Sequence, residues 1–270
     1  MRFEDVWALR NVSLTLNPGE TRIIFGAAGS GKTSLLKAVI GLVNPDEGEI
    51  LLYGRNICCL KEEELFALRA HAGFLFQEGG LFDSLTIGEN VEYPLTNRQS
   101  IEAHRDAPFG PDSPIEDPEQ RVREALRFVE LEHTFNQFPS EVSGGMRRRV
   151  GIARAIVTEP PLVLYDSPTA GLDPITANLI MALIAKERDT RNIASLIVTH
   201  RYQDAELMAN FHYDAEAGEL KPLEENDEAS SQDGTKFIVM KEGEIVFFGS
   251  RREMESSEDE YVTKFIRRET

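Results

Sequence analysis

A glycine-rich loop near the start of the sequence holds the residues with the clearest chemistry. Gly26-Ala27-Ala28-Gly29-Ser30-Gly31-Lys32-Thr33 follows the short strand-like run 22–25 and precedes the helical pattern 34–40. A phosphate-binding loop requires this strand, loop and helix. Its glycines let successive backbone N–H groups converge on phosphate oxygens, and the start of the following helix attracts the same anion. We therefore predict that Lys32 reaches the β- and γ-phosphates of a nucleotide and that the Thr33 hydroxyl binds Mg²⁺.

A second segment, taken with this loop, points to ATP as the nucleotide. Ser143-Gly144-Gly145-Met146 comes just ahead of a helical pattern. Taken alone, Ser-Gly-Gly is equally typical of a turn with a helix cap, so both interpretations stay open. The three arginines that follow, 147–149, are a run of the kind that usually forms a solvated helix face.

A carboxylate ends one of the apolar runs. Leu162-Val163-Leu164-Tyr165 leads directly into Asp166, and a phosphate-loop ATPase needs an acid at such a strand end to hold the hydration shell of Mg²⁺. An Asp there could also cap a helix, but the segment from Pro168 to Pro174 that follows disfavours this. We predict Asp166 as the second Mg²⁺ residue.

The elements around these residues alternate between strands and helices. Four short apolar runs, 23–25, 74–76, 162–165 and 196–198, are typical of the middle of a parallel sheet. Two further stretches, 12–16 and 48–53, alternate apolar and polar residues and predict antiparallel strands. The predicted fold class is α/β, with a phosphate-loop NTPase (RecA-like) core, a flanking antiparallel β-sheet and an inserted helical subdomain.

We expect one domain over residues 1–270. The predicted α/β core and flanking sheet cover 1–95 and 150–250, the helical subdomain with a loop insertion covers 96–149, and a tail helix covers 251–270. Within these parts we predict an exposed connection at 94–118, a helix at 117–131, an acidic solvated loop insertion at 214–234 and a β-hairpin at 237–249. Four apolar residues of the tail form one helix face that must dock on another surface, namely Tyr261, Val262, Phe265 and Ile266.

Composition narrows the function classes. A formal net charge of −17 argues against a sequence-independent nucleic-acid binder, because such surfaces carry a basic stripe. No run of 18 apolar residues occurs, and residues 1–5 do not resemble the start of a signal peptide, so we do not expect the chain to cross a membrane by itself. The adjacent Cys58 and Cys59 suit neither an ordinary disulfide nor a metal cage, which fits a reducing cytoplasm.

The order of the motifs resembles that of ATP-binding cassette (ABC) ATPases along nearly the whole chain. The phosphate loop, Gln77, Ser143-Gly144-Gly145, Asp166, Asp173 and His200 follow one another in the family's order. The resemblance implies two ATPase domains facing each other head to tail, with each nucleotide between the loop of one and the Ser-Gly-Gly segment of the other. A helix starting at Ser143 would aim its N-terminal amides at a γ-phosphate across that interface.

The resemblance also implies a set of site residues. The cofactor-binding residues are Gly26, Ala27, Ala28, Gly29, Ser30, Gly31, Lys32, Thr33, Ser34, Ser143, Gly144, Gly145 and Asp173, the Mg²⁺ residues are Thr33, Gln77 and Asp166, and the catalytic residues are Gln77, Asp166, Ser167 and His200.

Several of these roles rest on the family's motif order. Gln77 orients Mg²⁺ or water and links the site to a transport subunit, His200 senses the γ-phosphate, and Asp173 steadies the opposite protomer's loop. Without the resemblance, these would be a polar loop residue, a structural histidine and a helix cap. Either Phe3 or Trp7 would stack on the adenine.

The sequence departs from the family pattern in three places. Ser167 stands where the family places its catalytic glutamate, Arg201 stands where an aspartate is common, and the 214–234 insertion is unusual. The first departure questions the rate of hydrolysis, because a hydroxyl is a poor general base at pH 7.

Three local segments are similar to the Mla-type lipid-transport branch: 74–86, 143–150 and 258–265. This implies a motor subunit for phospholipid or related hydrophobic cargo, bound to the cytoplasmic face of the inner membrane. The implied partners are a second copy, integral membrane permease subunits and an MCE-type substrate-binding subunit, with no nucleic acid. The alternatives are a non-transport ABC ATPase and an ATP-gated scaffold with marginal hydrolysis.

Overall fold

The computed structural model describes residues 1–3, 6–76, 79–96, 117–223 and 234–266. The chain divides into two units, one made of Met1–Cys59 with Ile184–Thr270 and the other of Leu60–Leu183.

The strands and helices have the following bounds in chain order. The strands are β1 Arg2–Phe3, β2 Val6–Trp7, β3 Thr21–Gly26, β4 Leu51–Leu52, β5 Arg55–Asn56, β6 Ala72–Leu75, β7 Leu162–Asp166, β8 Ala194–Val198, β9 Phe211–Asp214, β10 Glu219–Pro222, β11 Thr235–Lys241 and β12 Glu244–Gly249. The α-helices are Lys32–Val39, Glu62–Arg69, Ile87–Thr96, Pro118–Phe128, Gly144–Ile156, Pro174–Arg191, Tyr202–Asn210, Arg251–Glu255 and Glu260–Thr263, and single 3₁₀ turns lie at Ile57–Cys59, Glu132–Thr134 and Pro139–Glu141. Within the described residues, no helix is long and apolar enough to span a bilayer.

The first unit is built on strand β3. It lies parallel to both β11 and β8, with Met240 opposite Gly26 and Val198 opposite Ile24 in the two registers. All residues of β3 and of β8 are buried, which is why their sequences are nearly continuous apolar runs instead of alternating ones. The predicted hairpin near the end of the chain is confirmed, since β12 folds back antiparallel on β11.

The antiparallel part of the first unit is smaller than the sequence predicts. Residues 12–16 alternate in exposure but form no strand, because no described segment supplies a hydrogen-bonded ladder for them. In the stretch 48–53 only Leu51 and Leu52 pair, with Asn56 and Arg55. The antiparallel strands in this region are therefore pairs of two-residue strands. One is β4 with β5, and the other is β1 with β2.

The prediction of a loop at 214–234 is wrong in its first part. Strands β9 and β10 form an antiparallel hairpin there. Asp214 organises its turn, because one carboxylate oxygen accepts the backbone N–H groups of Glu216 and Ala217 while the other pairs with the Lys221 ammonium. Residues 224–233 lie outside the described residues.

The second unit combines a parallel pair of strands, β6 and β7, with a mostly helical part. The predicted helix at 117–131 is confirmed as Pro118–Phe128, because Val122, Leu126 and Val129 recur on one buried face and Asp117 caps its start by accepting from the Gln120 N–H. The helix after Ser143 is confirmed as Gly144–Ile156. The predicted connection at 94–118 starts too early, since helix Ile87–Thr96 runs through Pro94, and residues 97–116 lie outside the described residues.

The apolar face of the tail docks on the first unit itself. Val262 is buried, and the Phe265 ring lies 6.2 Å from the ring of Phe25, the penultimate residue of β3. The helix that carries the face is short, Glu260–Thr263, so packing on the core and not helix length holds it in place.

Candidate functional site

The predicted phosphate loop connects β3 to helix Lys32–Val39 in the first unit. Ala27, Ala28 and Gly29 are exposed, whereas Ser30 is buried and donates its N–H to the Ala27 carbonyl at 3.1 Å. Gly31 caps the helix with φ of 101°, a left-handed conformation in which a side chain would also collide with the Ala8 carbonyl. Among the described residues, no side chain caps this helix start, and no acidic residue lies in its first turn, so its positive end is suited to an anion.

The Lys32 side chain folds back along the same loop. Its Nζ donates to the carbonyl oxygens of Gly26 and Ala27, both at 2.8 Å, and to Ser30 Oγ at 3.3 Å. These contacts keep the ammonium group beside the exposed loop residues. The loop therefore presents a fixed positive charge together with the start of a helix.

His200 follows β8 in the same unit and is exposed, while the residues around it are held firmly. Thr199 is buried, and its Oγ1 donates to Asp204 Oδ2 at 2.7 Å and accepts from the Arg201 N–H at 3.1 Å. The Arg201 guanidinium lies 3.7 Å from the other oxygen of Asp204. This ion pair gives a physical reason for the unusual arginine after His200, because a buried carboxylate needs a countercharge.

Asp166 ends β7 in the second unit and is 6% exposed. Ser167 adopts φ of 53°, in the left-handed region that is uncommon for residues other than glycine. Its Oγ donates to Asp166 Oδ1 at 3.3 Å. The two residues therefore form one small hydroxyl and carboxylate pair at the end of the strand.

Ser143 caps the helix Gly144–Ile156, its Oγ accepting from the Met146 N–H at 3.2 Å. The two glycines differ. A side chain on Gly145 would meet the Thr176 methyl group at 2.6 Å, whereas the nearest described group to one on Gly144 would be the Arg147 guanidinium at 3.8 Å. Packing within the second unit thus explains Gly145 but not Gly144.

Asp173 caps the helix Pro174–Arg191. Its Oδ1 accepts from the N–H groups of Ile175 and Thr176, and its Oδ2 accepts from Thr176 Oγ1 at 2.6 Å. The Thr176 hydroxyl, helped by the backbone donors, lowers the pKa of Asp173 below its usual value. Because Thr176 also faces Gly145, this cap brings Asp173 and the Ser-Gly-Gly segment together.

The candidate residues divide between the two units. The phosphate loop, Ser34 and His200 belong to the first unit, and the other described candidates, Ser143, Gly144, Gly145, Asp166, Ser167 and Asp173, belong to the second. Gln77 lies outside the described residues. Of the two aromatic candidates, Trp7 is 45% exposed with the Arg2 guanidinium 5.7 Å from its ring centroid; the side chain of Phe3 lies outside the described part.

Sequence reasoning missed Arg148, which is buried and not on a solvated face. Its guanidinium donates to the carbonyl oxygens of Ser167 and Ala170, both at 3.1 Å. Helical spacing could have indicated this, since Arg148 lies one turn before the buried Ile152 and two turns before Ala155.

An aromatic groove of about 260 Å³ opens on the second unit. Phe82 lies 4.9 Å from Tyr93, ring to ring, and the guanidinium of Arg154 lies 5.9 Å from Phe82. Arg154 is fixed by donating to the carbonyl oxygens of Gly79 and Gly80, and burial lowers the pKa of its guanidinium. Large exposed rings beside a cation are typical of a docking surface.

A family comparison decides the assignment. The protein-family model described as ABC transporter matches residues 9–170 of this chain. These residues include the phosphate loop, Ser143-Gly144-Gly145 and Asp166. The chain belongs to the ABC transporter family. Its ABC domain is the ATPase domain of that family, as the motif order predicted.

The names of two relatives of this ABC domain mention different cargo, methionine and phospholipid. It is 34% identical over 260 residues to the methionine import ATP-binding protein MetN of Corynebacterium glutamicum, covering 96% of this chain and 62% of that protein. It is 34% identical over 207 residues to the intermembrane phospholipid transport system ATP-binding protein MlaF of Haemophilus influenzae, covering 75% of this chain and 72% of that protein. The chain thus spans less than two thirds of the MetN protein that it matches.

Solved structures confirm the α/β fold of the ABC domain. One is described as the dimeric structure of a post-hydrolysis state of the ATP-binding cassette MJ0796 bound to ADP and Pi, with a TM-score of 0.71, 32% identity, and coverage of 93% of this chain and 94% of that one. Another is cbiO1 from Clostridium perfringens, part of the ABC transporter complex cbiONQ, with a TM-score of 0.71, 25% identity, and coverage of 96% and 87%.

Proposed function

We propose that the chain binds and hydrolyses ATP as the motor subunit of a membrane transporter. The observation that carries the proposal is the phosphate loop, where Lys32 Nζ is held at 2.8 Å from two loop carbonyls beside an uncapped helix start. A fixed cation with convergent amides is what a triphosphate requires. Membership of the ABC transporter family supports the same chemistry.

The donors for Mg²⁺ in this proposal are Thr33 and Asp166, with Gln77 as the third residue that the family resemblance implies. The exposed Thr33 hydroxyl and the strand-end carboxylate of Asp166 are hard oxygen ligands, and Mg²⁺ is usually held by one or two such protein oxygens together with phosphates and water. When bound, the ion would neutralise charge on the β- and γ-phosphates. We expect Asp166→Asn to bind ATP as the wild type does without Mg²⁺. We expect the variant to lose the additional ATP affinity that Mg²⁺ gives the wild type.

We propose further that two copies close around ATP. Gly144 is exposed at the start of its helix, and no neighbour in the described part of the second unit requires a glycine there, so a close approach from outside the chain accounts for it. In that closed dimer Ser143, Gly144 and Gly145 would face the γ-phosphate of the other copy, and Asp173 would steady its loop. Light scattering should show ATP-dependent association, which Gly144→Glu should prevent; association that survives this change would contradict the assignment.

His200 and Ser167 complete the proposed catalytic set. The exposed His200 ring, on its rigid support of Thr199 and Asp204, would contact the γ-phosphate. Ser167 offers a neutral hydroxyl where a carboxylate base is expected, so we propose slow hydrolysis. Single-turnover ATP hydrolysis by His200→Ala should be slower than by the wild type while ATP affinity changes little.

The proposed cargo is phospholipid or a related hydrophobic molecule. The three Mla-like segments and the MlaF relative support it, and an MCE-type subunit would then be among the partners. Methionine import is the second candidate, because the MetN relative matches 96% of the chain. Reconstituting the chain with its co-purified membrane subunit separates the two: lipid transfer between vesicles supports the first and ATP-dependent methionine uptake the second.

We propose that the chain is located at the cytoplasmic face of the inner membrane, where it binds a permease subunit. The aromatic groove with Phe82, Tyr93 and Arg154 supports this contact, because its lining includes residues on both sides of Gln77, the residue that the resemblance links to a transport subunit.

The central experiment compares two lysines of one helix. Lys32→Ala should abolish ATP binding, measured with a fluorescent ATP analogue in the presence of Mg²⁺, whereas Lys37→Ala, an exposed residue in the last turn, should bind as the wild type does. Equal affinity of Lys32→Ala and wild type would sink the assignment of the loop.

A further inference from the structure

The hydroxyl of Tyr261, in the tail, lies at the entrance of the phosphate loop. It accepts the Ala27 N–H at 3.3 Å and donates to the Met240 carbonyl at 3.2 Å. Met240 and Gly26 form the last register pair between β11 and β3. The hydroxyl therefore links Met240, in the last pair of the ladder, to Ala27, the first residue after β3, where the loop begins.

The ring of Tyr261 is held in this position from several sides. It meets the Phe265 ring edge-on at 5.3 Å, and the Lys241 ammonium lies 4.9 Å from its centroid. Phe265 in turn packs on Phe25 of β3, and Val262 is buried. Because the ring is fixed by packing, the hydroxyl has a defined place.

The bond to Ala27 fixes the orientation of one peptide group. The Ala27 N–H and the Gly26 carbonyl belong to the same planar unit and point in opposite directions. Tyr261 holds the N–H, and Lys32 Nζ donates to the carbonyl at 2.8 Å. Rotation of this peptide plane would therefore displace the Gly26 carbonyl, which is a hydrogen-bond acceptor of the Lys32 ammonium.

We propose that Tyr261 is a positioning residue for Lys32 and the phosphate loop. The inference rests on the proposed ATP site and adds a tail residue to it. By holding the Gly26–Ala27 peptide plane, the hydroxyl pre-organises the loop before the phosphates arrive, so less ordering is needed on binding. Its effect is on nucleotide affinity and not on the chemical step.

The test is Tyr261→Phe in the full chain, which keeps the ring and removes the hydroxyl. At 3.3 Å from an exposed loop amide the hydrogen bond is weak, so we expect the Kd for a fluorescent ATP analogue to rise about two- to fivefold. The KM for ATP should rise by the same factor, and kcat should change less than twofold. An unchanged Kd, or a loss confined to kcat, would overturn the proposal.

Tyr202→Phe is the matched control. The Tyr202 ring also packs on Phe25, at 6.3 Å, but its hydroxyl donates to Glu255 at 2.7 Å and not to the loop. This variant should lose stability to urea and keep the wild-type Kd for ATP. If both variants weaken ATP binding equally, the role of Tyr261 is packing alone and the proposal is wrong.

A second measurement does not depend on nucleotide. Hydrogen exchange followed by NMR should show the Ala27 amide protected in the wild type and exchanging faster in Tyr261→Phe, and equal exchange rates would contradict the bridge. A failure of the proposed function gives a different result from a failure of this inference. If the chain does not bind ATP through this loop, wild type and Lys32→Ala will have the same ATP affinity. If only the role of Tyr261 is wrong, Lys32→Ala will bind ATP poorly and Tyr261→Phe will bind it as the wild type does.

Discussion

The guanidinium of Arg148 donates to the carbonyl oxygen of Ser167 at 3.1 Å and to that of Ala170 at the same distance. Arg148 lies on the helix that Ser143 caps, and Ser167 directly follows Asp166. One buried side chain therefore ties the proposed γ-phosphate segment to the loop that follows the strand-end carboxylate. A shift of the helix would be transmitted to Ser167 through these two bonds.

Replacing Arg148 should disturb both stability and turnover. Arg148→Met removes two charged hydrogen bonds to backbone carbonyls, so we expect the free energy of unfolding to fall by about 2–4 kcal/mol. Turnover of ATP should fall more than ATP affinity, because the phosphate loop belongs to the other unit. Urea denaturation and steady-state kinetics measure the two effects.

Arg147→Met is the control, since the Arg147 guanidinium also donates to two backbone carbonyls, of Val142 at 2.8 Å and Pro139 at 3.4 Å, but Arg147 is an exposed residue whose bonds compete with water. We expect it to change the free energy of unfolding by less than about 1 kcal/mol. Equal urea midpoints for the two variants would mean that the contacts of Arg148 stabilise the fold no more than those of Arg147.

Ser167→Glu should raise the rate of ATP hydrolysis. A carboxylate in place of the hydroxyl supplies a positioned general base, which typically contributes about 10² to 10⁴ in rate. Both residues must adopt the same left-handed backbone, with φ of 53°, so the fold should accept the exchange with little further strain. Phosphate release by the intact membrane complex is the measurement.

Ser167→Gln separates size from charge in that experiment. It has the length of glutamate without its basicity, so it should remain as slow as the wild type. Brisk wild-type turnover with no gain from Ser167→Glu would show that this chain has another base.

The carboxyl group of Asp214 should titrate unusually low. The hydrogen bond from the Lys221 ammonium, helped by the Ala217 N–H, lowers the pKa of Asp214 to about 2. Since this folded value lies below the ordinary one, the ionised carboxylate stabilises the β9–β10 hairpin above about pH 4, and the contribution is lost as pH falls through 2. Carboxyl ¹³C shifts measured by NMR should give the midpoint.

Lys221→Met tests the cause of that low value. The midpoint should move upward towards the ordinary range, while the backbone donors of Glu216 and Ala217 keep part of the shift. A midpoint that stays near 2 would assign the whole effect to the backbone.

The aromatic groove gives a prediction about assembly. Phe82→Glu places a charge between Tyr93 and Arg154, and we expect the membrane subunit to be lost on co-purification while ATP binding by the chain alone is kept. Phe138→Glu, at an equally exposed ring outside the groove lining, should leave the complex intact. Loss of the complex in both variants would point to general loss of solubility instead.

The parts of this fold that the sequence predicts are those with a strong local signal. The apolar runs 23–25, 162–165 and 196–198 lie in β3, β7 and β8, which are buried throughout, and the phosphate loop has a fixed pattern of residue types. Residues 12–16 show the limit of such signals. Their alternation in exposure is real, but a strand also needs a hydrogen-bonding partner, which a local pattern does not contain.

The contacts that sequence reasoning missed join residues distant in the chain. Arg148 looks like part of a charged helix face until the backbone carbonyls of Ser167 and Ala170 are brought to it. Tyr261 was expected to dock, but its hydroxyl bond to Ala27 spans 234 positions. The strand-end Asp166, by contrast, needed only its own strand to be noticed.

The position of β3 has a consequence for synthesis. Its two neighbours in the sheet, β8 and β11, begin at Ala194 and Thr235, so the segment 21–26 leaves the ribosome long before either exists. At about 5–20 residues per second, it waits roughly 8–34 s for the first residue of β8 alone. A ribosome-bound chain arrested before residue 194 should therefore recruit chaperones at this apolar segment, and one released past residue 266 should not.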